Sequence, residues 1–245
     1  MRDAWRHFAA EFIGTFALVF VGSGTIITSP MLSQQAAVVN IAFAHGLILA
    51  IMVTATMRIS GHLNPAVTTA FLVTRRIEPM MAAVYWIAQF SGAVIAAYAL
   101  KGLYPEKITT LTQLGGQSIS IDIGLSQAII LEGIATFFLV FVIWGTAVDL
   151  HAPKVGGFAI GLTLTAGILS IGPLTGGSLN PARSFGPALA LQHFEGQAAY
   201  WIGPIVGAIV AGLLYENLFL RREAEPADHG AVAPDEAPES KRQPA

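Results

Sequence analysis

Two copies of one short motif carry the most distinctive chemistry in this chain. Asn64-Pro65-Ala66 and Asn180-Pro181-Ala182 each follow a leucine and each open a short apolar stretch. Asn is a favoured helix N-cap, and Pro fits the first helical turn because its missing N–H would have no partner there. Each motif therefore predicts a helix start, which carries partial positive charge and unpaired N–H groups. Two helix starts that face each other suit a neutral molecule with a lone pair and repel a cation.

Three charged residues accompany these motifs inside apolar sequence. Arg183 directly follows the second motif, and Glu11 and Glu132 each lie within a long apolar stretch. Intramembrane cations usually line a pathway, so we predict that Arg183 faces a pore rather than snorkelling to the interface. The two carboxylates occupy equivalent places in a repeat. Their duplication favours a structural role, accepting backbone N–H bonds from two re-entrant loops, over a proton relay.

The composition predicts a membrane protein. Of 245 residues, 54% are apolar and 11% are charged, and the mean hydropathy is +0.63, whereas about a quarter of the residues in a soluble domain are charged. A net charge of −2 supplies no basic excess for phosphates and excludes nucleic acid as the main partner. With no cysteine there is no disulfide or thiolate metal site. We predict a protein with the lipid bilayer around it and without a metal or cofactor.

Eight apolar segments are the elements that must position these residues. Two of them, at about 65–74 and 181–191, are too short to span a bilayer and read as half-helices that enter and return. The other six are long enough to cross, at about 8–28, 36–57, 80–100, 124–147, 155–174 and 197–220. The sequence therefore predicts an all-α membrane fold with six transmembrane helices and two re-entrant half-helices.

The chain also contains an internal repeat. Residues 11–21 match residues 132–142 at 8 of 11 positions, and Tyr85-Trp86-Ile87 recurs as Tyr200-Trp201-Ile202. Each repeat holds three spans, an odd number, so the second repeat enters the membrane upside down relative to the first. We assign repeat one to about 8–101 and repeat two to about 124–220.

Lysine and arginine predict the orientation. Only Lys101 and Lys107 fall on one side, whereas the other side carries Arg2, Arg6, Arg58, Arg75, Arg76, Lys154, Arg221 and Arg222. Both termini are therefore predicted to be cytoplasmic, in a cell membrane (plasma or inner). We assign residues 1–222 to the six-span domain, and the Glu-, Pro- and Ala-rich residues 223–245 predict a disordered cytoplasmic tail.

With two Asn-Pro-Ala boxes in inverted repeats and paired Glu-x-x-x-Thr-Phe segments, the chain resembles the aquaporin, or major intrinsic protein, family over about residues 5–220. The resemblance implies a passive water channel that assembles as a homotetramer with one pore per subunit. It also implies a narrow selectivity filter formed by His45, Ile168, Gly177 and Arg183. For His45, the alternative is a histidine capped by a backbone carbonyl at a helix interface.

The filter quartet is similar to that of plant tonoplast intrinsic proteins, some of which pass ammonia as well as water. Ammonia-conducting members have a loop histidine, whereas the loop from Gly102 to Ile123 has none. Ser184, Ala188 and Tyr200-Trp201 resemble the water-selective pattern rather than that of glycerol channels. A glycerol or small-solute facilitator and an ion-coupled secondary transporter remain the alternatives. Neither a Gly-x-Ser-x-Gly nor a His-Glu-x-x-His motif occurs, so we expect no enzyme.

Overall fold

The computed structural model describes residues 3–153 and 155–220, and the regular elements in these ranges are helical. Six of the helices in these ranges are long and apolar enough to cross a membrane. The predicted fold class, six transmembrane helices with two half-helices, is thereby confirmed. The helices are α1 (Ala4–Thr28), α2 (Gln34–Thr56), α3 (Pro65–Val73), α4 (Pro79–Leu103), α5 (Glu106–Leu111), α6 (Leu125–Ile143), α7 (Gly156–Thr175), α8 (Pro181–Leu191) and α9 (Gln197–Leu218).

The packing of these helices follows the inverted repeat. Helix α1 packs on α4 in the first repeat, and α6 packs on α9 in the second. The two repeats join along α2 and α7. Half-helix α3 lies against α9, and half-helix α8 lies against α4. Each half-helix is therefore supported by the last helix of the other repeat.

Glycines allow the tightest of these crossings. A Cβ atom on Gly92 of α4 would lie 2.5 Å from the carbonyl oxygen of Phe12, and one on Gly207 of α9 would lie 2.0 Å from that of Gly133. Both distances are far below van der Waals contact, so only a residue without a side chain fits. The two crossings occupy equivalent places in the repeats, which fixes the same helix spacing twice.

Polar contacts mark two opposite faces of the molecule. On one face, which we call the inner face, Arg76 after α3 forms a bidentate ion pair with Glu216 of α9, and Trp144 Nε1 donates to the same carboxylate at 2.8 Å. On the outer face, Lys101 Nζ of α4 donates to the carbonyl oxygen of Ala190 in α8 at 2.8 Å. The far end of each half-helix is thus held by a charged side chain.

Two local features were not predicted. The outer connection between α4 and α6 contains the short helix α5, and α6 ends in one wider turn, Trp144–Val148, in which Asp149 N donates to Trp144 O at 2.8 Å. The predicted fourth span therefore corresponds to α6 together with this turn. Four of the basic residues that predicted the orientation, Arg2, Lys154, Arg221 and Arg222, and the predicted tail 223–245 lie outside the described residues.

Candidate functional site

The two half-helices begin at the two Asn-Pro motifs and meet at their N-termini. Asn64 Oδ1 accepts from the backbone N–H of Ala66 at 2.9 Å, and Asn180 Oδ1 accepts from that of Ala182 at 3.0 Å. Pro65 and Pro181 occupy the first helical position, where no N–H is needed. Each asparagine therefore uses its amide oxygen on its own helix, and its amide N–H groups point away from that helix.

Each asparagine amide crosses to the other repeat. Asn64 Nδ2 donates to the carbonyl oxygen of Leu179 at 2.7 Å, and Asn180 Nδ2 donates to that of Leu63 at 2.8 Å. An amide nitrogen carries two hydrogens, so one N–H of each asparagine remains for another acceptor. Both asparagines line a central cavity.

The residue before each asparagine has an unusual backbone. Leu63 and Leu179 have φ values of 50° and 54°, and both side chains are fully buried. Left-handed backbone at a non-glycine residue costs about 1–3 kcal/mol and persists only where the surroundings hold it. Here the carbonyl oxygen of each leucine is held by the opposing asparagine. Its N–H is held by a buried glutamate.

Glu11 of α1 is that glutamate in the first repeat. Its carboxylate accepts from His62 N at 2.8 Å, from Leu63 N at 2.6 Å and from the Ser60 hydroxyl. A further donor is Gln89 Nε2 of α4, at 2.7 Å. All four partners are donors, which suits a carboxylate, an acceptor-only group when ionised. Glu11 is fully buried, so these contacts replace its hydration.

Glu132 of α6 makes the equivalent contacts in the second repeat. Its carboxylate accepts from Thr175 Oγ1 at 2.7 Å, Ser178 N at 2.9 Å and Leu179 N at 2.8 Å. The side chain is fully buried. The structure thus places both predicted anchors directly on the loops that lead into α3 and α8.

The space between the repeats that is not filled by atoms amounts to about 420 Å³, including the part open to solvent. Two of the four predicted filter residues, His45 and Arg183, line it together with both asparagines. The other two form a contact of their own, since a Cβ on Gly177 would lie 3.2 Å from Ile168 Cα. Much of the remaining lining is apolar and comprises Leu18, Leu49, Val53, Val67, Leu139, Ile143, Ile160, Leu164 and Leu179.

His45 and Arg183 bind each other. His45 Nδ1 lies 2.8 Å from the carbonyl oxygen of Ile41, which can only accept, so Nδ1 carries the proton in a neutral ring. His45 Nε2 is then the acceptor for Arg183, whose Nη2 and Nε lie 3.0 and 3.3 Å away. The sequence left two alternatives for His45, a backbone cap and a place in the pore. The structure combines them, because Nδ1 binds Ile41 O while the residue lines the cavity. Arg183 Nη1 has no hydrogen-bond partner within the described part of the chain.

Gln89 is a residue that the sequence prediction missed. It is fully buried in α4 and donates to both Glu11 and Thr68 Oγ1, the latter at 2.9 Å. A signal was present, because polar residues inside a predicted span are uncommon and usually have a specific partner. The left-handed leucines had no comparable signal, because nothing in a Leu-Asn-Pro sequence demands positive φ.

Comparisons with known proteins identify the family of this chain. The family model "Major intrinsic protein" matches residues 1–215. "Aquaporin TIP2-1" of Arabidopsis thaliana is 40% identical over 227 residues and covers 88% of each chain. "Probable aquaporin TIP3-2" of the same plant is 37% identical over 95% of this chain and 90% of its own. Among solved structures, the aquaglyceroporin from Plasmodium falciparum superposes with a TM-score of 0.78 at 25% identity, covering 89% of this chain and 97% of that one.

The chain therefore belongs to the major intrinsic protein family, integral membrane channels built from an inverted repeat. Its similarity to plant aquaporins over most of its length makes it a passive water channel. It transports rather than catalyses, as the sequence predicted.

Proposed function

We propose that water crosses the central cavity in single file and turns at the two asparagines. The observation that carries this proposal is the pair of crossed bonds, which leaves one N–H on Asn64 and one on Asn180 beside the cavity. A water oxygen that accepts from both cannot also accept from its neighbours in the file. The hydrogen-bond chain that proton transfer needs is then interrupted, and the two half-helix N-termini oppose a cation at the same point.

Arg183 is the fixed cation of the filter in this proposal. It is almost completely buried, and its free Nη1 can donate to a passing neutral molecule. At an effective dielectric constant near 20, two unit charges about 4 Å apart repel by about 4 kcal/mol. This repulsion adds to the cost of stripping an ion of water in an apolar channel. Ile168 and Gly177 belong to the constriction in this proposal on the family resemblance alone, since neither lines the central cavity.

We assign Glu11 and Glu132 a structural role as loop anchors. Both carboxylates are fully buried, and their partners are donors from the re-entrant loops, from α4 or from the end of α7. An ion-coupled transporter would need carboxylates that exchange an ion with the pathway. Neither glutamate lines the cavity, which argues against that alternative.

Ammonia and other small neutral solutes are proposed as secondary substrates. They can accept from the same N–H groups as water, and Gly177 adds no side chain to the constriction. Glycerol is a weaker candidate, because Ser184, Ala188 and Tyr200-Trp201 resemble the water-selective pattern.

Stopped-flow light scattering on proteoliposomes tests these proposals. Under an osmotic step we expect fast shrinkage with a low temperature dependence, and ammonia but little glycerol should follow its gradient. Empty liposomes are the control. Folded protein that passes water no faster than the control would contradict the mechanism, and a flux that saturates or follows an ion gradient would favour a transporter.

We also propose a location and an assembly. The excess of Arg and Lys on the inner face supports cytoplasmic termini, and we propose a cell (plasma or inner) membrane as the host. Family membership supports a homotetramer. The apolar side chains that α2 exposes, such as Phe43, Leu47 and Ile51, suit contact with either lipid or a neighbouring subunit. Protease protection and cell fractionation test the location, and native mass spectrometry tests the tetramer.

A further inference from the structure

The imidazole of His45 lies directly against Gly22 of α1. A Cβ atom on Gly22 would be 2.3 Å from His45 Nε2, 2.5 Å from Cδ2 and 2.8 Å from Cε1. Real Cβ atoms essentially never approach other heavy atoms within 3.0 Å. The ring therefore occupies the volume that any other residue at position 22 would fill.

The backbone of α1 does not require glycine at this place. Gly22 lies inside α1 without a positive φ, and glycine inside a helix costs about 1 kcal/mol relative to alanine. The offset of 121 that aligns Glu11 with Glu132 also aligns Gly22 with Ile143, a large residue. What Gly22 supplies is space for the side chain of another helix.

The ring has one direction in which to move. Ile41 O and Arg183 hold its two nitrogens, and only 2% of the residue is exposed. The open volume beside it is the central cavity that it helps to line. A methyl group at position 22 would therefore push the ring away from α1 and toward the lumen.

We propose that Gly22 is a specificity-determining residue of the channel, because it leaves the space in which the His45 imidazole lies against α1. In this position, His45 Nδ1 binds the carbonyl oxygen of Ile41 and Nε2 binds Arg183. The ring thereby draws the guanidinium to one side. The constriction then presents Arg183 Nη1 to the permeating molecule and remains wide enough for small neutral solutes. This inference rests on the proposed roles of His45 and Arg183.

The test compares four proteins in proteoliposomes: the natural chain, Gly22→Ala, His45→Ala and the double variant. We expect Gly22→Ala to lower water permeability by about tenfold, the factor that a free-energy change of about 1.4 kcal/mol produces, and to lower urea permeability at least as much. His45→Ala should keep water flux and raise urea flux. The double variant should behave like His45→Ala, because the ring that the methyl group displaces is gone.

Gly24→Ala is the matched control in the same helix. A Cβ on Gly24 would lie 3.1 Å from Tyr104 Oη and 3.5 Å from Leu100 Cδ2, away from the filter, so the water flux of Gly24→Ala should match that of the natural chain.

Gly22→Ala with unchanged flux would overturn the inference, as would an equal loss of flux with and without His45. If Gly22→Ala alone fails to fold and the double variant folds, the steric conflict with His45 is supported. Failure of both to fold would overturn it. If the natural chain itself passes no water, the proposed function fails instead.

Discussion

The two repeats have the same frame, and two kinds of difference between them concern the pore: residues that face the cavity and residues that anchor a half-helix. Both have an asparagine cap, a left-handed leucine and a buried glutamate on the loop. The residue that follows each Asn-Pro-Ala is Val67 in one repeat and Arg183 in the other, and both line the cavity. The residues that both repeats share therefore form the half-helices and their loops. Arg183, which has no charged counterpart in the first repeat, makes one end of the cavity a filter.

The anchors of the two half-helices differ in the same way. At the offset of 115 that aligns Tyr85 with Tyr200, Gln89 aligns with Pro204 and Lys101 with Glu216. Among the described residues, Glu11 consequently has four donors and Glu132 has three. The repeats can differ at these positions because each loop needs only its backbone N–H groups bound. Different side chains can supply the remaining contacts.

Removing either glutamate should have the largest effect. Glu11→Ala or Glu132→Ala leaves at least two buried backbone N–H groups without an acceptor, at about 1–3 kcal/mol each, next to a leucine with strained backbone. We expect loss of folded protein in both cases, measured by thermal unfolding in detergent. Glu11→Gln and Glu132→Gln are matched controls that keep one acceptor oxygen. Normal melting of both alanine variants would show that the loops do not depend on these anchors.

Arg183→Val makes the two repeats alike beside their Asn-Pro-Ala motifs. We expect water flux to persist, ammonia and urea flux to rise and proton leak to increase modestly, because the fixed cation contributes about 4 kcal/mol of repulsion at most and the half-helices remain. Proton leak is measured with a pH-sensitive dye inside the liposomes. Arg183→Lys, which keeps the positive charge, is the control and should leave proton leak close to that of the natural chain. Unchanged urea flux in Arg183→Val would remove Arg183 from the filter.

Gln89→Leu removes the extra donor of the first repeat only. It should lower the free energy of unfolding by about 1.5–3 kcal/mol, the range for hydrogen bonds to charged groups, and should leave water flux per folded channel almost unchanged. Chemical unfolding of the purified protein measures the change. Gln127→Leu is a suitable control, because Gln127 is exposed and bonds only Gly124 N at the start of α6. Equal losses in both variants would mean that Gln89 is not specific to Glu11.

Removing the charged side chains that hold the far ends of the half-helices should have the smallest effect on stability. Lys101→Met removes one hydrogen bond to Ala190 O near the C-terminus of α8 and should cost about 0.3–1 kcal/mol. Arg76→Met breaks the bidentate pair with Glu216 on the inner face, and its cost should be similar because Arg76 is exposed. Both costs should shrink in high salt if they are electrostatic. Melting curves at low and high salt therefore distinguish them from packing losses.

The sequence predicted the spans and the inverted repeat because both depend on local patterns. Long apolar runs directly predict membrane-spanning helices, and the repeated Glu-x-x-x-Thr-Phe segment indicates an internal duplication. The positions of α3 and α8 followed from Asn-Pro, since that pair starts a helix by its own chemistry.

Contacts between distant segments escaped the prediction. Gly22 and His45 look unrelated along the chain, and only the packing of α1 on α2 shows that one makes room for the other. The pairing of Arg183 with His45 joins residues 138 positions apart. Side-chain volume and long-range hydrogen bonds depend on the complete fold, so composition and spacing did not reveal them.

The crossed bonds between Asn64 and Leu179 and between Asn180 and Leu63 also impose an order on biosynthesis. Each bond joins residues more than 110 positions apart, and translation adds about 5–20 residues per second. The first half-helix must therefore wait roughly 6–23 seconds during translation before its partner exists. During that interval its asparagine amide and strained leucine carbonyl need water, lipid headgroups or the insertion machinery as temporary partners. The crossed bonds can therefore form only after Asn180 has been translated, so the last structural step of the first repeat waits for the second.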